Sequence, residues 1–243
     1  MDTYSKPVHS SRFTEIRECE HGKGTYATQF IPAYTIILIE SPLCTHINNT
    51  DYTFTQYAHD KILKLHHEST TDPVLDAFRM NAFQISRDVC AVYYRASRVN
   101  HCCISNCHVN FRGNVLYLYT MQPIQKGDPI TINYMDNYLM SYGLRTYRLK
   151  RSWNFECQCV LCSDTHRRQL YDKFVFAAAN SNTQIADLMM LFSQLRIPRT
   201  HVIARKVLSQ VCCDIAWQRG NSKRHIDFHY SRCIRGFNRS VHE

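Results

Sequence analysis

The spacing of apolar positions changes period twice along this chain. Between residues 11 and 43 it follows a strand-like rhythm broken by turns. "RFTEIRECE" alternates poorly and runs into "HGKG", a turn signal, and "TYATQFIPAYTIILIE" gathers β-branched and aromatic residues around a turn at Pro32. Between 52 and 81 the period lengthens. Phe54, Ala58, Ile62 and Leu65 recur at helical spacing, and Asp72-Pro73 opens a second short helix, because a first turn needs no amide donor and tolerates proline. Residues 108–134 return to strands, "HVNFRG", "VLYLYTM" and "ITINY", with "QKGD" as a turn. After Cys162 three helical stripes follow. The first is Leu170, Phe174 and Ala177; the second is Ile185, Leu188, Met189, Phe192 and Leu195. The third, Ile203, Val207, Val211 and Ile215, follows Pro198 and a candidate N-cap at Thr200. All three read as packing faces. The pattern predicts a mainly β, α+β fold with a helical insert at about 50–80 and a helical C-terminal region.

Length adds that the 243 residues hold one large domain with an appendage, or two small ones. The longest aliphatic run is "TIILI" at 35–39, far short of a membrane span, and the opening "MDTYSKPVHSSRF" lacks the apolar segment of a signal peptide. A soluble protein of the nucleus or cytoplasm is expected, neither secreted nor membrane-bound. Charge is uneven. Residues 1–162 carry 16 Lys and Arg against 14 Asp and Glu, whereas residues 163–243 carry 13 against 6. Arg219 to Arg239 holds six basic residues and one acid, Asp227. Such a tail is either a solvated end or an attractor of nucleic acid or an acidic surface.

Twelve cysteines change the picture further, because six fall in two tight groups: Cys102, Cys103 and Cys107 in "RVNHCCISNC", and Cys157, Cys159 and Cys162 in "CQCVLC". In a reducing compartment such groups bind metal more often than they form disulfides. The C-x-C-x-x-C spacing lets three thiolates converge on one ion, and structural zinc takes four ligands. The first group is the obvious source of the fourth, and spacing alone does not choose among its members. Buried free thiols are the plain alternative, and a cysteine nucleophile beside His101 a third, disfavoured because catalytic Cys-His pairs meet in space from separate segments.

In this order the motifs resemble those of SET-domain lysine methyltransferases over residues 11–163. "HGKGTYATQFIPAYTIILIESPL" is similar to the family's opening glycine loop and turn, "RVNHCCISNC" to its N-H-S-C-x-P-N core, "ITINYMDNY" to the strand ending in the catalytic tyrosine, and "FECQCVLC" to the post-SET zinc motif. "NAFQI" and "LRTYRLKRSWNFECQC" resemble the SMYD-like and fungal branch. The MYND zinc finger of that branch is missing, since residues 44–80 contain only Cys44. The resemblance implies a SET-type β-clip with a post-SET zinc site over 11–163, between a tail at 1–10 and a helical region at 164–220, with the basic tail at 221–243. It also implies S-adenosylmethionine as methyl donor, one structural zinc ion, a protein lysine as substrate (histone or otherwise) and a monomer.

Residue roles follow from the same resemblance. His21, Gly22, Lys23, Gly24 and Tyr26 would lie against the donor, with Asn100 and His101 holding it and Phe155 beside it. Tyr134 would be the catalytic tyrosine. Phe83, Ile132, Trp153 and Phe155 would line the lysine channel, with Ile132 on the same strand face as Tyr134. Cys103 takes the fourth zinc position beside Cys157, Cys159 and Cys162, leaving Cys102 and Cys107 as packed thiols. There are departures. Cys102 and Ser105 replace the serine and proline of the core motif, Tyr34 replaces a turn glycine, and Trp153 stands where a second channel tyrosine is usual. Trp153 removes a hydroxyl and adds bulk, which keeps open a SET-like adaptor without catalysis. The basic tail keeps open, more remotely, a zinc-stabilised nucleic-acid binder.

Overall fold

The computed structural model describes residues 9–10, 12–20, 22–48, 50, 52–68, 71–135, 138–180, 182–197 and 201. Two compact units emerge. One comprises residues up to 101 with 105–132, and the other residues 102–104 with those from 133 onward. The third helical stripe, Thr200 and the basic tail lie outside the described residues.

Among the described residues the first unit holds eleven strands: β1 His9–Ser10, β2 Thr14–Cys19, β3 Gly22–Ala27, β4 Ile36–Glu40, β5 Cys44–Ile47, β6 Ala82–Gln84, β7 Val89–Val92, β8 Asn100–His101, β9 Cys107–Arg112, β10 Val115–Thr120 and β11 Thr131–Ile132. The antiparallel sheet β1-β4-β10-β9 forms because β10 alternates: Leu116, Leu118 and Thr120 are buried and the residues between them less so. β2 and β3 make a separate hairpin, and β5-β7-β6 a third sheet. β2 is exposed or half-exposed along its length, which explains its poor alternation. "HGKG" differs from the expected turn. Gly22, Lys23 and Gly24 lie in β3, in register with Cys19, Glu18 and Arg17.

The helical insert contains α1 Gln56–Ile62 and α2 Pro73–Asn81. Thr55 caps the first by accepting from the Ala58 amide, and Asp72 caps the second by accepting from the Leu75 amide, with Pro73 in the first turn. Ala58, Ile62 and Leu65 pack with Val74, Ala77, Phe78 and Leu43. Phe54 lies before α1 and Leu65 after it, so the helix is shorter than its apolar spacing suggests.

Two devices shape the frame of the site. Tyr34 has φ of +61°, the left-handed conformation that favours glycine. Thr120, fully buried, holds this turn. Its carbonyl accepts from the Tyr34 amide at 2.8 Å, and its hydroxyl accepts from the Thr35 amide at 3.0 Å and donates to the Pro32 carbonyl at 2.7 Å. The second device is Glu40, 2% exposed, whose carboxylate accepts from the Arg95 and Ala96 amides at 2.9 Å each. These amides open the 3-10 turn Ala96–Arg98 that leads into β8. Burial pushes the Glu40 carboxyl above its ordinary range, against the pull of these amides.

The second unit holds α3 Tyr142–Trp153, α4 Val160–Ser163, α5 Thr165–Ala179 and α6 Ile185–Gln194. Its core joins Leu149, Leu161, Leu170, Tyr171, Phe174, Leu188, Phe192 and Leu195. Met189, a member of the second predicted stripe, is instead 38% exposed.

Candidate functional site

In the first unit the glycine strand β3 lies beside Asn100. The Asn100 carboxamide donates to Cys19 Sγ at 3.5 Å. A Cβ on Gly24 would meet Asn100 Nδ2 at 2.9 Å, Tyr26 Cε2 at 3.1 Å and Cys19 Sγ at 3.3 Å. Only a residue without a side chain allows this packing. Gly22, at φ +90°, faces open space instead. Tyr26 carries the Arg17 guanidinium 5.0 Å from its ring, and burial, followed by its contact with Cys19, pushes its hydroxyl up. Lys23 pairs with Glu18 at 3.4 Å on the surface, a weak contact. The Thr25 hydroxyl donates to the Arg98 carbonyl, so β3 also fixes the turn that presents β8.

β8 pairs in parallel with β11, Asn100 opposite Thr131 and His101 opposite Ile132. Asn106 secures that edge. Its Oδ1 accepts from the Thr131 amide at 2.8 Å and its Nδ2 donates to the Pro129 carbonyl at 2.7 Å. Gly24, Tyr26 and Asn100 are thus brought together, with Cys19 an unforeseen member. Ile132 is buried. Phe83 stacks edge-on against Tyr93 at 5.7 Å. His21 lies outside the described residues.

In the second unit, Cys103, Cys157, Cys159 and Cys162 place their sulfurs within 4.8 Å of one another. Cys103 Sγ is 3.5 Å from Cys162 and 4.0 Å from Cys157. The helical turn α4 explains the C-x-x-C spacing, since the Cys162 amide donates to the Cys159 carbonyl at 2.8 Å and turns both thiols to one side. Thiol donors, Cys102 and Cys103 first, hold Cys159 far below the ordinary thiol range. With metal–sulfur bonds of about 2.3 Å, a tetrahedron has sulfur–sulfur edges of about 3.8 Å, and this cluster has that size. Four thiols and no carboxylate suit a closed structural site for a soft-ligand ion such as zinc. Cys102 is not one of these four; its thiol donates to the Ile104 carbonyl at 3.2 Å and lies against Cys159. Cys107 is buried, which pushes its thiol up.

Tyr134 lies in the same unit. The predicted strand "ITINY" stops at Ile132, because Asn133 turns the backbone: its Oδ1 accepts from the Met135 amide at 2.8 Å and its Nδ2 donates to the Cys103 carbonyl at 3.3 Å. Tyr134 therefore sits in a bend tied to the cysteine loop, and the expected shared strand face with Ile132 is lost. Its ring centroid is 5.3 Å from Trp153 and 6.4 Å from Phe155, the latter edge-on. Asn154, left-handed at φ +53°, ends α3 between those two rings. Burial pushes the Tyr134 hydroxyl above its ordinary range. A protonated phenol flanked by two aromatic side chains can orient an amine and keep water away.

The SET domain family matches residues 22–135. A SET and MYND domain-containing protein of Dictyostelium discoideum is 36% identical over 98 residues, 38% of this chain and 24% of that protein. Histone-lysine N-methyltransferase SMYD3 of Mus musculus is 37% identical over 71 residues, 29% of this chain and 16% of that protein. SET domain and MYND-type zinc finger protein 6 of Schizosaccharomyces pombe is 30% identical over 95 residues, 38% of this chain and 20% of that protein. The matched part of the chain spans a quarter or less of the length of each of these relatives.

Proposed function

We propose that this chain, whose residues 22–135 match the SET domain family, is a protein-lysine N-methyltransferase that uses S-adenosylmethionine and holds one structural zinc ion. The observation that carries the reading is Tyr134, a buried phenol boxed by Trp153 and Phe155, in a chain with that match. The donor supplies a sulfonium methyl group already activated for transfer. The chain's part is positioning and desolvation, with no covalent intermediate. Gly22 and Lys23 offer backbone that a ligand can approach, and Asn100 and His101 offer polar groups at β8. Tyr134 stays protonated at neutral pH and orients the incoming amine. The aromatic walls disfavour the charged ammonium, which favours the neutral nucleophile.

Cys103, Cys157, Cys159 and Cys162 would hold the zinc, which supplies cross-linking rather than reactivity. The substrate is a protein lysine, on a histone or another protein. The basic tail, outside the described residues, is the proposed contact for nucleic acid or an acidic surface. Incubating whole-cell extract with tritium-labelled donor and purified protein tests the activity. Wild type should label discrete proteins and Tyr134→Phe should not; an extract left unlabelled by wild type would refute the reading. Trp153 against Tyr134 favours a second reading, an adaptor that binds the donor without turnover. Donor binding by calorimetry with no labelling would select it.

A further inference from the structure

Partners across an antiparallel ladder share a face, so the β2-β3 register puts Glu15, Arg17 and Cys19 on one side of the hairpin with Tyr26, Gly24 and Gly22. Arg17 leans on the Tyr26 ring at 5.0 Å and pairs with Glu15. Cys19 differs, because its β3 neighbours on that face are the two glycines. With no side chain at Gly24, the Asn100 carboxamide reaches the sulfur, and Nδ2 donates to Cys19 Sγ at 3.5 Å. Among the described residues the carboxamide makes no other hydrogen bond.

The backbone of Asn100 is already fixed, by β11 beside it and by the Thr25 hydroxyl on the Arg98 carbonyl. What remains free is the last torsion of the side chain, which is broad and roughly two-fold, so that an unanchored carboxamide presents oxygen and nitrogen alike. The face has room for a ligand, since a Cβ on Gly22 would meet no atom, and its half-buried carboxamide suits the cationic amino-acid end of a sulfonium donor. We propose that Cys19 is a positioning residue for the methyl donor. Its sulfur holds Asn100 Nδ2 and leaves Oδ1 to accept from the donor's ammonium group. This rests on the donor reading of β3 and β8. It gives a role to a cysteine that lies outside both cysteine clusters and outside every motif of the chain.

The test titrates the full chain and two variants with S-adenosylmethionine by calorimetry. Cys19→Val keeps bulk and cannot accept a hydrogen bond. It should weaken donor binding by about 3- to 10-fold, the worth of one hydrogen bond. Cys19→Ser keeps an acceptor and loses bulk, and should stay within about twofold of wild type. A packing role predicts the opposite order. The Asn100 side-chain amide supplies a second readout in the unloaded protein. Its NMR signals, identified by their loss in Asn100→Ala, should exchange faster with water in Cys19→Val and not in Cys19→Ser. Equal donor affinity of the three proteins, a loss in Cys19→Ser as large as in Cys19→Val, or a loss in Cys19→Val with unchanged amide exchange would overturn the assignment. Where Cys19→Val does not fold, Cys19→Ala takes its place with the same expectations. No binding by wild type defeats the donor reading and this inference together, whereas binding indifferent to Cys19→Val defeats the inference alone.

Discussion

The Asn100 amide nitrogen lies 2.9 Å from where a Cβ on Gly24 would stand. The two residues meet because one has no side chain. Gly24→Ala should push Asn100 off Cys19 and weaken donor binding at least 10-fold by calorimetry, a loss of about 1.4 kcal/mol. Gly22→Ala meets no atom, and should cost only the roughly 1–2 kcal/mol of its positive φ. Similar donor affinity in the two variants would count against the Asn100 contact.

The two neighbouring cysteines should part company. Cys103→Ser should lose zinc by at least two orders of magnitude in affinity, since it removes one of four ligands. Cys102→Ser should stay within a few-fold, because a hydroxyl can keep the bond to Ile104. Elemental analysis after dialysis against a chelator distinguishes them, and the reverse order would mean that the ligand register is wrong by one residue.

Tyr134→Phe should lower kcat by about 10²-fold, with donor affinity unchanged, because the hydroxyl positions the amine and Trp153 and Phe155 keep the ring in place. A single-turnover methylation assay reads this. Loss of donor binding in parallel would assign the tyrosine to the donor instead.

Tyr34→Gly should stabilise the first unit by about 0.5–1 kcal/mol. Relief of the left-handed tyrosine is worth about 1–2 kcal/mol, and the looser unfolded chain offsets part of it. Urea titration at saturating zinc measures the shift. Destabilisation would show that the Tyr34 side chain contributes more than its conformation costs.

Glu40→Ala should cost about 2–4 kcal/mol, since it orphans the Arg95 and Ala96 amides in the interior. The pH dependence has a definite sign. The folded carboxyl titrates above its unfolded value, so its contribution is full below the unfolded pKa and is lost as pH rises through the folded one. The stability of wild type relative to Glu40→Gln should therefore grow as pH falls from neutral into the carboxyl range. Parallel stability curves for the two proteins would contradict this.

Much of the strand and insert pattern was legible because its signals are local. Asp72-Pro73 announces a capped helix, and β10 alternates cleanly. The C-x-C-x-x-C spacing marked three of the four clustered thiols without help. The fourth was not readable from spacing, because Cys102, Cys103 and Cys107 differ only in where the fold turns them. α3 has no apolar stripe in the sequence for a physical reason: of its buried positions one is Leu149 and the other is Arg145, so the inward face does not read as apolar. Cys19 and Glu40 carry no motif, since each acts on a segment more than 50 residues away. The early end of β11 depends on one side chain, Asn133, competing with the ladder for backbone partners.

The cysteine cluster spans a long stretch of chain, Cys157 lying 54 positions and Cys162 lying 59 positions after Cys103. At roughly 5–20 residues per second, Cys103 leaves the ribosome some 3–11 s before its first partner. Throughout that interval the nascent protein holds one thiol of the four. The four-thiol cluster therefore cannot close until synthesis has passed residue 162.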